Sequence, residues 1–345
     1  MFRVGGGWDH TTYLELDGSV WIHGHNQYGE LGLGDLIQRN TPIKLQGLPP
    51  MKSVSSGHNT TLLLDEEGCV WSAGMNSRGE LGLGDTEHRN TFERIPDIPQ
   101  IKEIANHYEH SILLDYNGSA WVFGNSPHKT EGTSSKIPSK IADLPPIQTA
   151  CTGASFSLLV DERGLPWAIN ASRLSAPEHG PIEGLPPIKA VGGGLRFGAF
   201  LDENGTVWAK GDSFTHLAEP GMNASKVSRN LEIQSISCGL SHLLMIDNEK
   251  NCWAFGANKF GETPKNSGNA PNKVEEFPNV LAVAAGGYYS VMLNEEGAIA
   301  SCGINCFGQL GLGDRCERRK PTVNPHLPPI LLAKKYSNTK SARKI

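Results

Sequence analysis

Along most of the chain a short apolar run leads into a polar turn, and a second apolar run follows that usually ends in tryptophan. The segments read TTYLELDGSVW, TTLLLDEEGCVW, HSILLDYNGSAW, FSLLVDERGLPW, FGAFLDENGTVW, HLLMIDNEKNCW and YSVMLNEEGAIA. Two strand-length apolar runs joined by Asp, Glu, Asn and Gly are the pattern of a β-hairpin. No 3.6-residue apolar period persists, which excludes helical repeats.

The hairpins recur at a regular interval. Trp21, Trp71, Trp121, Trp167, Trp208 and Trp253 mark it, with Ala300 in the matching place of a seventh unit, at steps of 50, 50, 46, 41, 45 and 47 residues. One bulky indole per unit fits packing between neighbouring units. Three residues after each Trp position stands Gly24, Gly74, Gly124, Gly211, Gly256 or Gly303, and Asn170 in the fourth unit. Asn tolerates a left-handed backbone best after Gly, so this point is expected to carry positive φ. A second glycine opens the other half-unit at Gly7, Gly57, Gly153, Gly194, Gly239 and Gly286, with His107 in the third.

Units of this length and strand content fit the four-stranded blade of a β-propeller. A single blade cannot bury both of its faces, whereas a ring of them can. The fold class predicted is therefore all-β, a single seven-bladed propeller over residues 1–333 with a basic, disordered tail at 334–345. FRVGGGWDHTTYLEL at one end and INCFGQLGLGDRCERRKPTVNPHLPPI at the other read as complementary half-units. The expected closure is a composite blade joining roughly residues 295–330 to residues 2–16, which would remove free sheet edges.

Composition agrees and narrows the function. Forty glycines and 22 prolines suit many short strands and tight turns. There is no apolar stretch of eighteen residues, so no membrane span is expected, and MFRVGGGWDH lacks the form of a secretory signal. The seven cysteines are odd in number and show no zinc-site spacing; Cys302 and Cys306 enclose three residues, a weak cue. Free thiols in a reducing cytoplasmic or nuclear compartment are the reading. The net charge is −5, and without Lys334, Lys335, Lys340, Arg343 and Lys344 the rest stands at −10, which argues against broad docking on nucleic acid.

Units one, two and seven also carry a complete N-x-x-G-[EQ]-L-G-L-G-D string, in HGHNQYGELGLGDLIQRNTP, WSAGMNSRGELGLGDTEHRNT and CGINCFGQLGLGDRCERRKPT. With SVSSGHNTTLLLDEEGCVW these resemble the repeat of the regulator of chromosome condensation family, over about residues 2–330. Units three to six keep the hairpins but lose the LGLGD turn, leaving Asn258 and Gly261. The resemblance implies a seven-bladed propeller that binds proteins. The family's founding member is a guanine-nucleotide exchange factor for the small GTPase Ran. Other members serve in ubiquitin ligases, scaffolds, a plant UV-B photoreceptor and bacterial enzyme inhibitors, and fold does not choose among these.

The resemblance implies docking by loops on one face, through the residue before the repeat histidine and the N-x-x-G turn. Here those places hold Asp9, Asn59, Glu109, Ser241 and Tyr288, with Asn26, Asn76 and Asn305 in the turns. No unit exceeds 50 residues, so the wedge that the exchange factor inserts between strands of one blade has no counterpart, and neither has its basic arm. A scaffold, adaptor or inhibitor propeller is the alternative. The photoreceptor use needs several tryptophans beside arginine on one face, and GGWDHT supplies Trp8 once.

His10, His110 and His242 share one unit position with Thr60, Phe156, Phe197 and Tyr289, the mark of repeat packing rather than of a catalytic or metal centre. Asp35, Asp85 and Asp314 read as turn caps. No P-loop, nucleophile elbow or H-E-x-x-H occurs, so no cofactor, metal or bond-breaking site is predicted, and the chain is expected to act as a monomer.

Overall fold

A computed structural model describes residues 3–327, apart from 109, 126–134, 170–178, 212–223, 229 and 265–269. Its described strands form seven four-stranded antiparallel sheets. The first is β1 (Arg3–Gly6), β2 (His10–Leu14), β3 (Val20–Gly24) and β4 (Arg39–Lys44), paired in that order. The same order repeats over residues 51–94, 101–140, 147–181, 188–226, 233–273 and 280–323, called blades 2 to 7. No helix among the described residues is long and apolar enough to cross a membrane.

One expectation is corrected. Blade 1 is built wholly from residues 3–44 and blade 7 wholly from 280–323, so no described sheet is shared between the two ends. The proposed composite of 295–330 with 2–16 took the tryptophan as the unit boundary. The true phase starts one hairpin earlier, because the loop after β3 returns to its own sheet, where Gly24 pairs with Arg39. The segment 334–345 lies outside the described residues.

The second strand of every blade is buried along its whole length. It sits mid-sheet with a neighbouring blade on each side, which explains its unbroken apolar run. The half-buried tryptophans pack into these seams; Trp208, for example, packs on the core cluster that includes Phe156, Leu158, Ile188 and Phe200 of blades 4 and 5. Five of the six repeat indoles also have a fixed acceptor for the N–H. The aspartate six residues earlier receives it at Asp65, Asp115, Asp161, Asp202 and Asp247, at 2.7–3.4 Å. The other carboxylate oxygen caps two backbone N–H groups of the hairpin turn, as Asp202 Oδ1 does for Asn204 and Thr206. Blade 7 has lost both partners together, carrying Asn294 and Ala300, and Asn294 keeps only the turn contacts. In blade 1, Glu15 takes the aspartate's place and pairs with Lys44, and the Trp21 N–H is left buried without a partner.

The glycines after the Trp position do have positive φ, as at Gly24 (114°). The second set is needed for a different reason. A Cβ at Gly7 would stand 2.6 Å from the Gly57 carbonyl oxygen, so close approach of adjacent blades at the axis excludes a side chain. Asn170 lies outside the described residues.

Each complete LGLGD loop reaches sideways to the outer strand of the next blade. Gly34 N–H donates to Asn90 O, Gly84 to Lys136 O and Gly313 to Asn40 O, at 2.7–2.9 Å. The last of these joins blade 7 to blade 1. The same seam holds a hydrogen bond from Gly287 N–H to Gly7 O, and an apolar cluster of Tyr13 with Tyr289, Val291, Leu293 and Leu310. Tyr13 donates its hydroxyl to His23 Nε2, and His23 Nδ1–H donates to Gly308 O.

Two measurements check this account. Asp202→Ala removes an indole acceptor and two turn caps, and should lower unfolding stability by about 2–3 kcal/mol in urea titration. Gly308→Ala at φ 80° would place a Cβ 2.7 Å from Asn40 Cα, and should lower the thermal midpoint by loosening the closing seam.

Candidate functional site

The turn between the first and second strands and the loop after the third strand lie on the same face of the ring. The backbone ties them together: His25 N–H donates to Asp9 O, Met75 to Asn59 O, Ala257 to Ser241 O and Ile304 to Tyr288 O. Around the axis the inner turns also touch one another, with Trp8 N–H donating to Gly57 O and Leu195 N–H to Leu240 O.

Three aromatic side chains from consecutive blades meet at this mouth. Trp8 lies 4.2 Å from the His58 ring and 5.4 Å from Tyr108, and His58 stacks on Tyr108 at 4.9 Å with 3° between planes. Below Trp8 a cavity of about 10 Å³ is lined by Gly6, Gly7, Ser56, His107 and Leu240 among others. That is at the lower limit for a single water, so this cavity is too small for an organic ligand. His107, standing where six units have glycine, helps to close it.

Beside Trp8 is a compact polar group at the seam of blades 7 and 1. Gln309 Nε2 donates to Asp9 Oδ1 at 2.8 Å, and His25 bonds Glu30, whose second oxygen receives Tyr28 N–H. Burial, with the Glu30 charge, pushes the Asp9 carboxyl up to about 6, against the opposing pull of His25 and the Gln309 hydrogen bond. Burial disfavours charge on His25, but its hydrogen bond to Glu30 and the nearby carboxylates more than offset this and raise its pKa. Phe307, Tyr28 and His88 extend the aromatic surface outward, with His25–Phe307 at 4.7 Å and Tyr28–His88 at 5.4 Å, both edge-on.

The predicted site residues divide into distinct groups. Asp9 is at the mouth and half-buried. Tyr288 is half-buried on the same face, edge-on to Phe260, and the half-buried Ser241 keeps a buried hydroxyl without a protein partner. Asn59 is 8% exposed and turned toward Met75. Asn26, Asn76 and Asn305 are a correction: all three are fully buried and spent on their own loops. Asn26 accepts Leu31 N–H and donates to the Asp35 and Ile37 carbonyls, and its two counterparts likewise bond Leu81 and Asp85, and Leu310 and Asp314. Their side chains hold the LGLGD turn and offer nothing to a partner. Glu109 lies outside the described residues.

The repeat histidines are structural, as expected. His10, His110 and His242 bond Thr61, Ser157 and Ser290 of the following blade, and burial depresses His10 and His242 to about 4. Both thiols are free, Cys302 buried and Cys306 exposed. Sequence reasoning missed His58 and Tyr108. The signal was available one position earlier than the one chosen, where Trp8, His58 and Tyr108 follow the axial residue in three successive units.

If Asp9 holds a proton up to about pH 6 in the folded chain and releases it near pH 4 when unfolded, its contribution favours folding below about pH 4 and is lost as pH rises through 6. Asp9→Asn keeps an oxygen for Gln309 and carries no charge. The variant should match the parent at pH 4 and exceed it by about 1 kcal/mol at pH 7.5 in urea unfolding.

Comparison with known proteins places this architecture. Residues 17–64 and 51–80 match models of the regulator of chromosome condensation (RCC1) repeat. A stretch of 100 residues is 32% identical to the human "Probable E3 ubiquitin-protein ligase HERC4", covering 27% of this chain and only 10% of that protein. The human "RCC1-like G exchanging factor-like protein" is 25% identical over 124 residues, which are 33% of this chain and 27% of that one. The crystal structure of Prp20p from Saccharomyces cerevisiae, described with its binding properties to Gsp1p and histones, superposes with a TM-score of 0.79 at 23% identity. That match covers 91% of this chain and 87% of the other. Two matched repeats and the shared architecture agree: the chain carries RCC1 repeats over residues 17–80 and folds as a seven-bladed propeller like that of Prp20p.

Proposed function

We propose that the chain is a protein-docking propeller and that its loop face, centred on Trp8, His58, Tyr108 and Asp9, grips a Ran-type small GTPase and promotes nucleotide exchange. The observation that carries the docking reading is the aromatic cluster at the mouth beside a half-buried carboxylate whose charge, among the described residues, only His25 offsets. Aromatic side chains and desolvated charges at the centre of a surface are the usual anchors of protein recognition. Likeness of fold to Prp20p supports the choice of partner. Exchange needs no bond chemistry: a protein that binds the nucleotide-free GTPase more tightly than the loaded form weakens nucleotide binding by the same factor. Asn59, Ser241 and Tyr288 would line the contact around Asp9, and Glu109 would join them.

A second reading is a scaffold, adaptor or inhibitor propeller that grips another protein without exchange. It is favoured by one observation. The longest step between tryptophans is 50 residues, which leaves no insertion of the kind the exchange wedge requires.

Release of fluorescent GDP from a Ran-type GTPase separates the two. The exchange reading expects at least about tenfold faster release with the chain present, and loss of most of that gain in Asp9→Lys, a charge reversal at the contact. Unchanged release with the parent protein would sink it and leave the scaffold reading.

A further inference from the structure

The LGLGD turn ends on two residues that its own backbone does not dictate. In blade 1 the Asp35 carboxylate accepts Ile37 N–H at 2.9 Å and pairs with Arg39 at 2.6 Å, while Asn26 and Arg39 hold the Ile37 carbonyl. Blades 2 and 7 repeat the aspartate and arginine contacts, through Asp85 with Glu87 and Arg89, and through Asp314 with Cys316 and Arg318. The main chain is therefore fixed alike in all three, and the side chains it presents differ. Blade 2 shows Thr86 and Glu87, blade 7 Arg315 and Cys316, and blade 1 Leu36 and Ile37.

Leu36 is 59% exposed and Ile37 64% exposed. Neither packs on a described core cluster, so the fold does not account for two adjacent aliphatic side chains in water. Arg315 stands beside them across the seam of blades 7 and 1. With its amide suitably turned, Gln38 accepts from Arg315 Nε at 2.9 Å, and Asn40 Oδ1 is 3.4 Å from the same nitrogen. Arg318, Arg319 and Lys320 nearby are paired with Asp314, Glu317 and Glu276. Arg315 is exposed and has no carboxylate partner among the described residues.

We propose that Leu36, Ile37 and Arg315 form a docking point on the rim for a protein partner that offers an apolar hollow bordered by a carboxylate. The rigid turn presents the apolar pair without a cost of ordering, and the unneutralised guanidinium selects an acidic border. The basic segment 334–345 of this chain has the wrong charge for such a site. This point is separate from the axial mouth and does not depend on the GTPase reading.

The test uses the full chain carrying a photo-crosslinking benzoylphenylalanine at Cys316, in cells that naturally express the protein, with the crosslinker at Glu66 on the opposite face as control. The expected result is an adduct with another protein whose linked segment combines apolar with Asp or Glu residues. Its yield should fall at least about tenfold in Leu36→Asp and in Arg315→Glu, with thermal midpoints unchanged because both positions are exposed. The proposal is overturned by an adduct no stronger than the Glu66 control, or by one that either substitution leaves intact. A linked segment without acidic residues, or one belonging to this chain itself, overturns it equally.

Discussion

The second strand of each blade is covered on both faces, and everything else in the ring answers to that burial. A strand in this position must find partners for its polar groups inside the seams. His10, His110 and His242 do so by reaching Thr61, Ser157 and Ser290 of the next blade. Tyr289 serves the closing seam in the same role, its hydroxyl donating to the His10 carbonyl at 2.6 Å. These contacts fix the angular placement of neighbouring blades more narrowly than apolar packing alone, since a hydrogen bond fails with a small rotation that an aliphatic contact would tolerate.

The loop face inherits its order from those seams. Because the buried strands begin just below the inner turns, the turns are drawn close enough for their backbones to bond around the axis. The side chains that follow them are crowded together for the same reason, which is how Trp8, His58 and Tyr108 come to touch. Asp9 is desolvated by the same crowding. The chemistry of the mouth is thus a product of ring geometry, with sequence choice acting at the few positions where the turns leave room.

Much of this was legible in the chain itself. The Asp-to-Trp spacing, the glycines and the apolar runs specify hairpins and their number, because each reports a local contact that repeats. Closure was misjudged because tryptophan marks the third strand of a blade and not its beginning; pairing across the loop, as between Gly24 and Arg39, leaves no local trace. Asn26, Asn76 and Asn305 resembled binding residues since an asparagine in a loop reads alike whether its amide faces solvent or its own backbone. Asp9 was singled out, but its raised pKa comes from burial and the Glu30 charge working against His25 and Gln309, an environment set only by folding. His58 and Tyr108 matter through contacts across three blades, and a pattern read one unit at a time cannot reveal those.

The consecutive strand order within every sheet has a genetic side. Each repeat encodes one whole blade, from inner edge to outer edge, so substitutions inside a repeat alter one sheet and the two seams beside it. Repeats can drift apart in sequence without disturbing hydrogen-bond ladders elsewhere in the ring. The units with intact LGLGD strings are one and two, which are consecutive, and seven, which is far from them in sequence yet adjacent in space. They span the junction of first and last blade, so the sector held most uniformly is the one whose parts lie farthest apart in the message.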